Sequence, residues 1–271
     1  VNIEMMLTLF DIEQRREVEF TGFAREATPE VVRLVDQQAA EGDSMVIYSH
    51  LTAANADGVI EAEIAYFEGI GHDFEWKVYD HDSPPNLKER LLAHGFEIGD
   101  AEALLVLDLA EAPPALLAPV SHDVRRITDP EQLADVVAVQ QEVWPEADFI
   151  SRLGERLTAD LQANPGHLSI YVAYVDEVPA CSAWITFHRE SQFAGLWGGS
   201  TLPQFRQRGL YTALVATRLQ EAKRRGVRFL TIDASPMSHA VLQKFGFRLL
   251  TYTYPCKWRA GSAQRRRVTE T

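Results

Sequence analysis

A chain of 271 residues, 46% apolar and 24% charged, suits one large globular domain or two modest ones with buried cores. No window approaches the ~20 uninterrupted apolar residues of a membrane span, and the N-terminus has no basic-then-apolar leader pattern, so a soluble, cytoplasmic protein away from the membrane is expected. The net charge of −13 is unevenly divided, with 24 acidic and 7 basic residues in 1–121 against 15 and 19 in 122–271. Such a split suits two domains with different tasks, the basic one for an anionic ligand and the acidic one turned away from nucleic acid.

Within the first half, Met45–Leu51 reads as a central strand, His72–Tyr79 as the next and Asn86–Ala93 as a short helix. An apolar strand, Leu104–Leu109, leads into the proline-rich Ala112–Pro119, where missing amide donors and the bias against helix before proline predict a linker. The domain boundary is accordingly expected near 115–122, dividing the chain into 1–118 and 119–271.

In the second half, Asp123–Ile127 is a strand, and Asp129-Pro-Glu opens a helix that runs to about Glu142. A second helix is predicted over 148–163. Two alternating runs, Leu168–Tyr174 and Ala180–His188, flank Val175-Asp-Glu-Val178 and form a hairpin pattern; a third strand covers 193–202. Leu210 to Arg225 carries apolar residues at Leu210, Leu214, Val215 and Leu219, then a basic last turn and the C-cap glycine Gly226. Val227–Ile232 is a buried strand, 237–245 a short helix and Phe247–Lys257 a final strand or pair of strands.

The run from Trp197 to Tyr211 carries the most chemistry. A strand with two consecutive glycines, Gly198 and Gly199, meets a turn rich in arginine and glycine and then the positive end of a helix, an arrangement that gathers backbone N–H groups on an anion such as pyrophosphate. Arg206-x-x-Gly209-x-Tyr211 resembles the Arg/Gln-x-x-Gly-x-Gly/Ala motif of the GCN5-related N-acetyltransferases (GNAT). Ser235-Pro-Met-Ser238 and Phe245-Gly-Phe247 stand at family-like spacing, so the resemblance spans 122–258.

The resemblance implies an α/β acyl-CoA N-acyltransferase fold, a mixed central sheet flanked by helices. It also implies acetyl transfer from acetyl-CoA to the primary amine of a small-molecule or peptide acceptor by direct attack. Carried over residue by residue, Gly199, Ser200 and Thr201 offer backbone groups to the pantetheine arm, with an N–H near Gly199 facing the thioester carbonyl. Arg206, Gln207, Arg208, Gly209, Leu210 and Tyr211 wrap the pyrophosphate. Ser235 either bonds the pantetheine amides or caps its helix. The family's frequent proton-donating tyrosine falls on Leu242, which leaves Tyr252, Tyr254 or solvent to protonate the thiolate. His188, Glu190, Glu142 and Asp148 are positional candidates for the base.

An internal repeat accompanies the motif. Gly58, Asp82, Pro85, Leu91 and Gly95-Phe96 precede Gly209, Asp233, Pro236, Leu242 and Gly246-Phe247 by a constant 151 positions. Asn55, Ala56 and Asp57 stand opposite Arg206, Gln207 and Arg208, so a carboxylate replaces a cation and the first half reads as a truncated, degenerate copy with a structural role. No metal is expected: His50, His72, His81 and His94 lack ligand spacing, and Cys181 and Cys256 are too few for a zinc site or a disulfide framework. Arg265–Arg267 reads as a solvated basic terminus. A non-catalytic acyl-CoA sensor, or acyl transfer to a protein or aminoacyl acceptor, is the alternative function. Exposed strand edges could also pair two chains as a homodimer.

Overall fold

Short β-branched runs alternating with amphipathic stretches give a mixed α/β chain, and the computed structural model describes residues 2–37, 44–145, 150–234 and 236–260. Asp148, Ser235 and Arg265–Arg267 lie outside the described residues. The first elements are α1 (Ile3–Phe10), a π-helical turn (Asp11–Arg16), β1 (Phe23–Ala27), β2 (Val31–Asp36), β3 (Ser44–Ser49), α2 (Ala56–Ile70), β4 (Phe74–Tyr79), α3 (Leu87–Ala93), β5 (Glu97–Ile98) and β6 (Glu102–Asp108). The chain continues through α4 (Pro114–Leu117), β7 (Asp123–Ile127), α5 (Leu133–Val143), α6 (Ile150–Ala163), β8 (Leu168–Val175), β9 (Val178–Phe187) and β10 (Phe193–Thr201). It closes with α7 (Leu210–Arg224), β11 (Phe229–Ala234), α8 (Pro236–Lys244) and β12 (Arg248–Trp258). Among the described residues no helix is long and apolar enough to cross a membrane.

Two compact units emerge, one of residues up to Leu104 together with those from Leu249 onward, the other of Leu105–Arg248. The division expected at 118/119 does not coincide with them. Each unit contains the strand that ends the other half of the sequence: β12 belongs to the first and most of β6 to the second. The proline-rich stretch is no free linker either, since it forms α4, buries Leu116 completely and offers the Leu116 and Ala118 carbonyls to Gln220 Nε2 of α7, each at 2.9 Å. Proline at a helix start, its permitted place, explains the misreading.

The first unit orders its strands β1-β2-β3-β4-β12, with β5 against β12. β1, β2 and β3 are antiparallel neighbours, β3 and β4 are parallel, and β4 and β12 are antiparallel. Aromatic residues fill its core: Phe67 of α2 stacks on Phe74 at 4.2 Å, and Trp76, Phe96 and Trp258 close round them. Burying side chains of this size contributes roughly 1.5–3 kcal/mol each. α2 ends where Gly71 takes the left-handed conformation at φ 76°.

Pairing of β3 with β4 covers Ser44–Val46 against Phe74–Trp76 and stops there, although both strands continue. Arg15, fully buried on the π-helical turn, bridges the parted strands. Its Nε donates to the Ile47 carbonyl of β3 at 3.0 Å, Nη2 donates to both carboxylate oxygens of Asp82 at 2.8 and 2.9 Å, and the guanidinium lies 3.7 Å from the Tyr79 ring centroid. Asp11 accepts from Nη1 at 2.7 Å and from His81 Nε2 at 2.9 Å. Burial disfavours the cation, but Asp82, Tyr79 and Asp11 outweigh it and raise the Arg15 pKa above its ordinary value.

The second unit orders its strands β6-β11-β10-β9-β8-β7. β7 to β10 are antiparallel neighbours, and β10 and β11 are parallel, so β8 to β11 repeat the sequence of pairings of β1 to β4. The β8–β9 turn, Asp176-Glu177, holds both residues at positive φ, 49° and 63°, as a tight two-residue hairpin requires. Ser182 and Cys181 of β9 point to opposite faces by strand alternation. Ser182 accepts from Gln140 of α5, whereas Cys181 lies near Arg218 of α7, so α5 and α7 cover the two faces of this sheet.

Candidate active site

β10 is paired with β11 only from Phe193–Gly195 against Phe229–Thr231, and beyond that point the two strands part. The other edge of β10 is bulged. Between Trp197, opposite Trp184, and Ser200, opposite Ser182, it carries one residue more than β9. Gly198 sits in the bulge at φ 60°, where an added Cβ would fall 1.8 Å from Trp184 Cζ3, so both conformation and space demand glycine. Gly199 packs its Cα against the Tyr211 ring, with 2.8 Å between an added Cβ and Tyr211 Cε2.

Past Thr201 the chain turns through Pro203–Phe205 and then presents Gln207 at φ 62° and Gly209 at φ 79°. Successive amides therefore curve round one point before α7 begins. Gly209 is the N-cap, and no side chain caps the helix. The first-turn N–H groups have no acceptor within α7, and the helix dipole adds its positive end, which together make an anion site. The turn is held from outside: His122 Nε2 donates to the Arg208 carbonyl at 2.9 Å and Arg206 Nε to the Thr201 carbonyl at 3.3 Å.

Where the strands part and the turn curves, a cavity of about 440 Å³ opens. Gly199, Ser200, Thr201, Arg206, Gln207, Gly209, Leu210 and Tyr211 line it, eight of the residues expected at the cofactor. Arg208 does not; its guanidinium lies 5.4 Å from the Phe205 ring centroid, on the exposed side of the turn. A strand edge without a partner, running to an uncapped helix end, fits an amide-bearing arm with an anionic group behind it. Among the described residues no group of three or more His, Cys, Asp or Glu side chains is placed to hold a metal ion.

The Tyr211 ring lines this space and its hydroxyl is buried without a hydrogen-bond partner among the described residues, so burial pushes the phenol up in pKa while the Arg218 charge opposes the shift. It remains protonated at neutral pH and can donate. Leu242 is completely buried in the apolar interior. Glu190 lies in an open turn with its carboxylate 3.6 Å from Arg189 Nε, and Glu142, exposed on α5, accepts from Gln204 at 3.3 Å; neither lines the cavity. His188 packs edge-on against His167 at 5.1 Å. Tyr252 and Tyr254 belong to the first unit, where the Tyr252 carbonyl accepts from the Asp80 amide at 3.0 Å and the Lys88 ammonium sits 3.3 Å from the Tyr254 ring centroid.

Several lining residues escape the motif. Trp144, at the end of α5 and 47% exposed, forms part of the wall, and its indole Nε1 donates to Ser200 Oγ at 3.0 Å. Ser238 and Val241 come from α8 and Thr212 from α7. Ser238 stands inside the Ser235–Ser238 motif, which was the available signal. Trp144 offered only a large aromatic residue at a helix end.

Residues 132–247 match the model of the Acetyltransferase (GNAT) family. The whole chain is also similar in structure to a GCN5-related N-acetyltransferase from Kribbella flavida, at 14% identity and a TM-score of 0.68, over 96% of this chain and 97% of that one. A functionally unknown conserved protein from Staphylococcus epidermidis aligns at 14% identity and 0.70 over 90% and 97%. A tandem GNAT protein from the clavulanic acid biosynthesis pathway aligns at 16% and 0.60 over 96% and 88%. No curated protein matches the chain by sequence. At these identities the structural likeness speaks for the fold alone, and the match to the Acetyltransferase (GNAT) family model speaks for residues 132–247, the segment that builds the cavity.

Proposed function

We propose that the second unit binds acetyl-CoA along β10 and transfers its acetyl group to the primary amine of a small-molecule or peptide acceptor. The observation that carries this reading is the parting of β10 from β11 over a cavity that ends at the uncapped start of α7. In this reading the pyrophosphate takes the amides of residues 207–212, with Arg206 beside them, and the pantetheine amides take the free edge of Gly199–Thr201.

The acceptor amine attacks the thioester carbonyl directly, forming the new C–N bond. The Gly199 N–H stabilises the oxyanion, an effect of about 3–4 kcal/mol for one well-aimed donor. The ammonium nitrogen of the intermediate gives up its proton to water, collapse breaks the C–S bond, and the departing thiolate takes a proton from a donor that water then reprotonates. Tyr211 is the phenol on the cavity wall and supplies that proton in place of the family tyrosine that Leu242 replaces. The first half, which shares the order of strand pairings but has Asn55 and Asp57 at the corresponding helix start, is in this reading a copy of the fold without a cofactor site.

Titration with acetyl-CoA followed by release of free thiol over a panel of amines tests the proposal. Amine-dependent release, lost with Arg206→Ala and Gly209→Asp, is expected. Tight acetyl-CoA binding with no release for any amine would favour the sensor reading, which Leu242 brings into view. For Tyr211→Phe we expect kcat to fall about 10²-fold with acetyl-CoA affinity preserved.

A further inference from the structure

Two buried polar side chains grip the β10 bulge and take no part in the chemistry above. Gln140 of α5, 1% exposed, donates from Nε2 to the Gly198 carbonyl at 2.6 Å and to Ser182 Oγ at 2.9 Å. Arg218 of α7, fully buried, donates from Nη1 to the carbonyls of Trp184 at 3.0 Å and Trp197 at 3.2 Å, one on each strand at the bulge. Burial lowers the Arg218 pKa to about 10, which still leaves a cation at neutral pH. Holding that charge under the bulge is costly, and the carbonyls are what it holds.

Peptide planarity turns these contacts into a statement about direction. In a trans peptide the C=O and the following N–H point opposite ways. A donor that fixes the carbonyl of one residue therefore fixes the amide of the next. Arg218 on the Trp197 carbonyl sets the Gly198 N–H, and Gln140 on the Gly198 carbonyl sets the Gly199 N–H to point away from α5. The left-handed φ of Gly198 lets the two planes turn separately.

Hydrogen-bond polarity also decides which end of the Gln140 amide faces the bulge. The Trp144 indole can only donate, so Ser200 Oγ accepts from it and directs its own proton to Gln140 Oε1 at 3.1 Å. The amide nitrogen is left facing Gly198 and Ser182. Trp144, Ser200, Gln140 and Gly198 thus form a chain of one polarity whose last link is the peptide plane of Gly199.

We propose that Gln140 is a positioning residue for the acetyl transfer: by pinning the Gly198 carbonyl it aims the Gly199 N–H at the oxygen that becomes negative during the reaction. Arg218 anchors the preceding peptide plane. The inference rests on the acetyl-transfer reading and deepens it.

The test compares Gln140→Met, which keeps the volume without a donor, with Gln140→Glu, which at neutral pH presents an acceptor to the Gly198 carbonyl. For both variants kcat should fall about 10²-fold while the acetyl-CoA Kd and the amine KM stay within about threefold of wild type, because a displaced oxyanion donor acts on the transition state. Unchanged kcat in folded Gln140→Met would overturn the proposal, as would equal losses in kcat and acetyl-CoA affinity. If Gln140→Met does not fold, the same split is read from Gln140→Glu. Should the wild-type chain release no thiol with any amine, the acetyl-transfer reading falls on its own account. The Gly199 amide resonance then decides the positioning claim: a ¹⁵N shift on adding acetyl-CoA to wild type should disappear in the variants, and an identical shift in all three would contradict it.

Discussion

Each unit parts a pair of parallel strands at the same point in its topology, yet one opening is filled and the other is a cavity. In the first, the Arg15 guanidinium spans from the Ile47 carbonyl to Asp82 and lies on the Tyr79 ring, so the edge of β3 already has its donor. In the second, the edge of β10 faces open space lined by Gly199, Ser200 and Thr201. The helix starts differ in the same sense. Asp57 at the start of α2 is a built-in anion, held by Arg90 at 2.5 Å and His94 at 3.4 Å, whereas α7 begins at an uncapped glycine beside Arg206. A shared order of strand pairings therefore does not imply a shared site: one unit satisfies its strand edge and helix start internally, and the other leaves both open.

The largest expected effect comes from closing the open side. Gly198→Val places a branched side chain where Trp184 already sits and at a φ it cannot adopt, so kcat should drop more than 10²-fold and the urea midpoint should fall by the equivalent of about 3 kcal/mol or more. A variant with wild-type turnover would show that the bulge does not aim the chemistry. Opening the filled side comes next. Arg15→Met leaves Asp82, 3% exposed, without its cation, and should destabilise the first unit by about 3–5 kcal/mol with acetyl-CoA affinity retained.

Acid should loosen the same plug. Burial alone would raise the Asp11 pKa, but the hydrogen bond from His81 and the Arg15 charge hold it below the ordinary carboxylate value. Its stabilising contribution is thus complete above the unfolded pKa of about 3.9 and disappears as pH falls through the lower folded value. Urea midpoints measured down the acid limb should show this loss in wild type, and Asp11→Asn should flatten it by about 1 kcal/mol. The smallest effect is expected for Gly209→Ala, which forces a side chain to φ 79° at 3.4 Å from the His122 ring. It should cost about 1 kcal/mol of stability and weaken acetyl-CoA several-fold, as calorimetry would reveal.

Much of this contrast was legible in the sequence because it is written in local signals. Periodicity located β8 to β11 and α7 to within a few residues, and the replacement of Arg206 and Arg208 by Asn55 and Asp57 pointed to the unequal helix starts. The exchange of final strands was not legible, since β12 lies beside β4 through pairing between residues 174 to 184 positions apart, from Thr253 with Tyr79 to Trp258 with Phe74, and no turn chemistry announces it. Arg15 sits among Glu13, Glu17 and Glu19 and reads as a solvated charge. Gln140 and Arg218 stood in view, at the inward spacings of Leu133, Val136 and Gln140 and of Leu214 and Arg218, but a polar residue on an apolar helix face declares only that it needs partners.

The central claim is that one of two related strand openings accepts acetyl-CoA. Isothermal titration of the chain with acetyl-CoA measures it directly: the account predicts one site per chain, abolished by Arg206→Ala combined with Gly209→Asp and retained in Asp57→Asn. Two sites per chain, or one site that survives the double substitution, would contradict it.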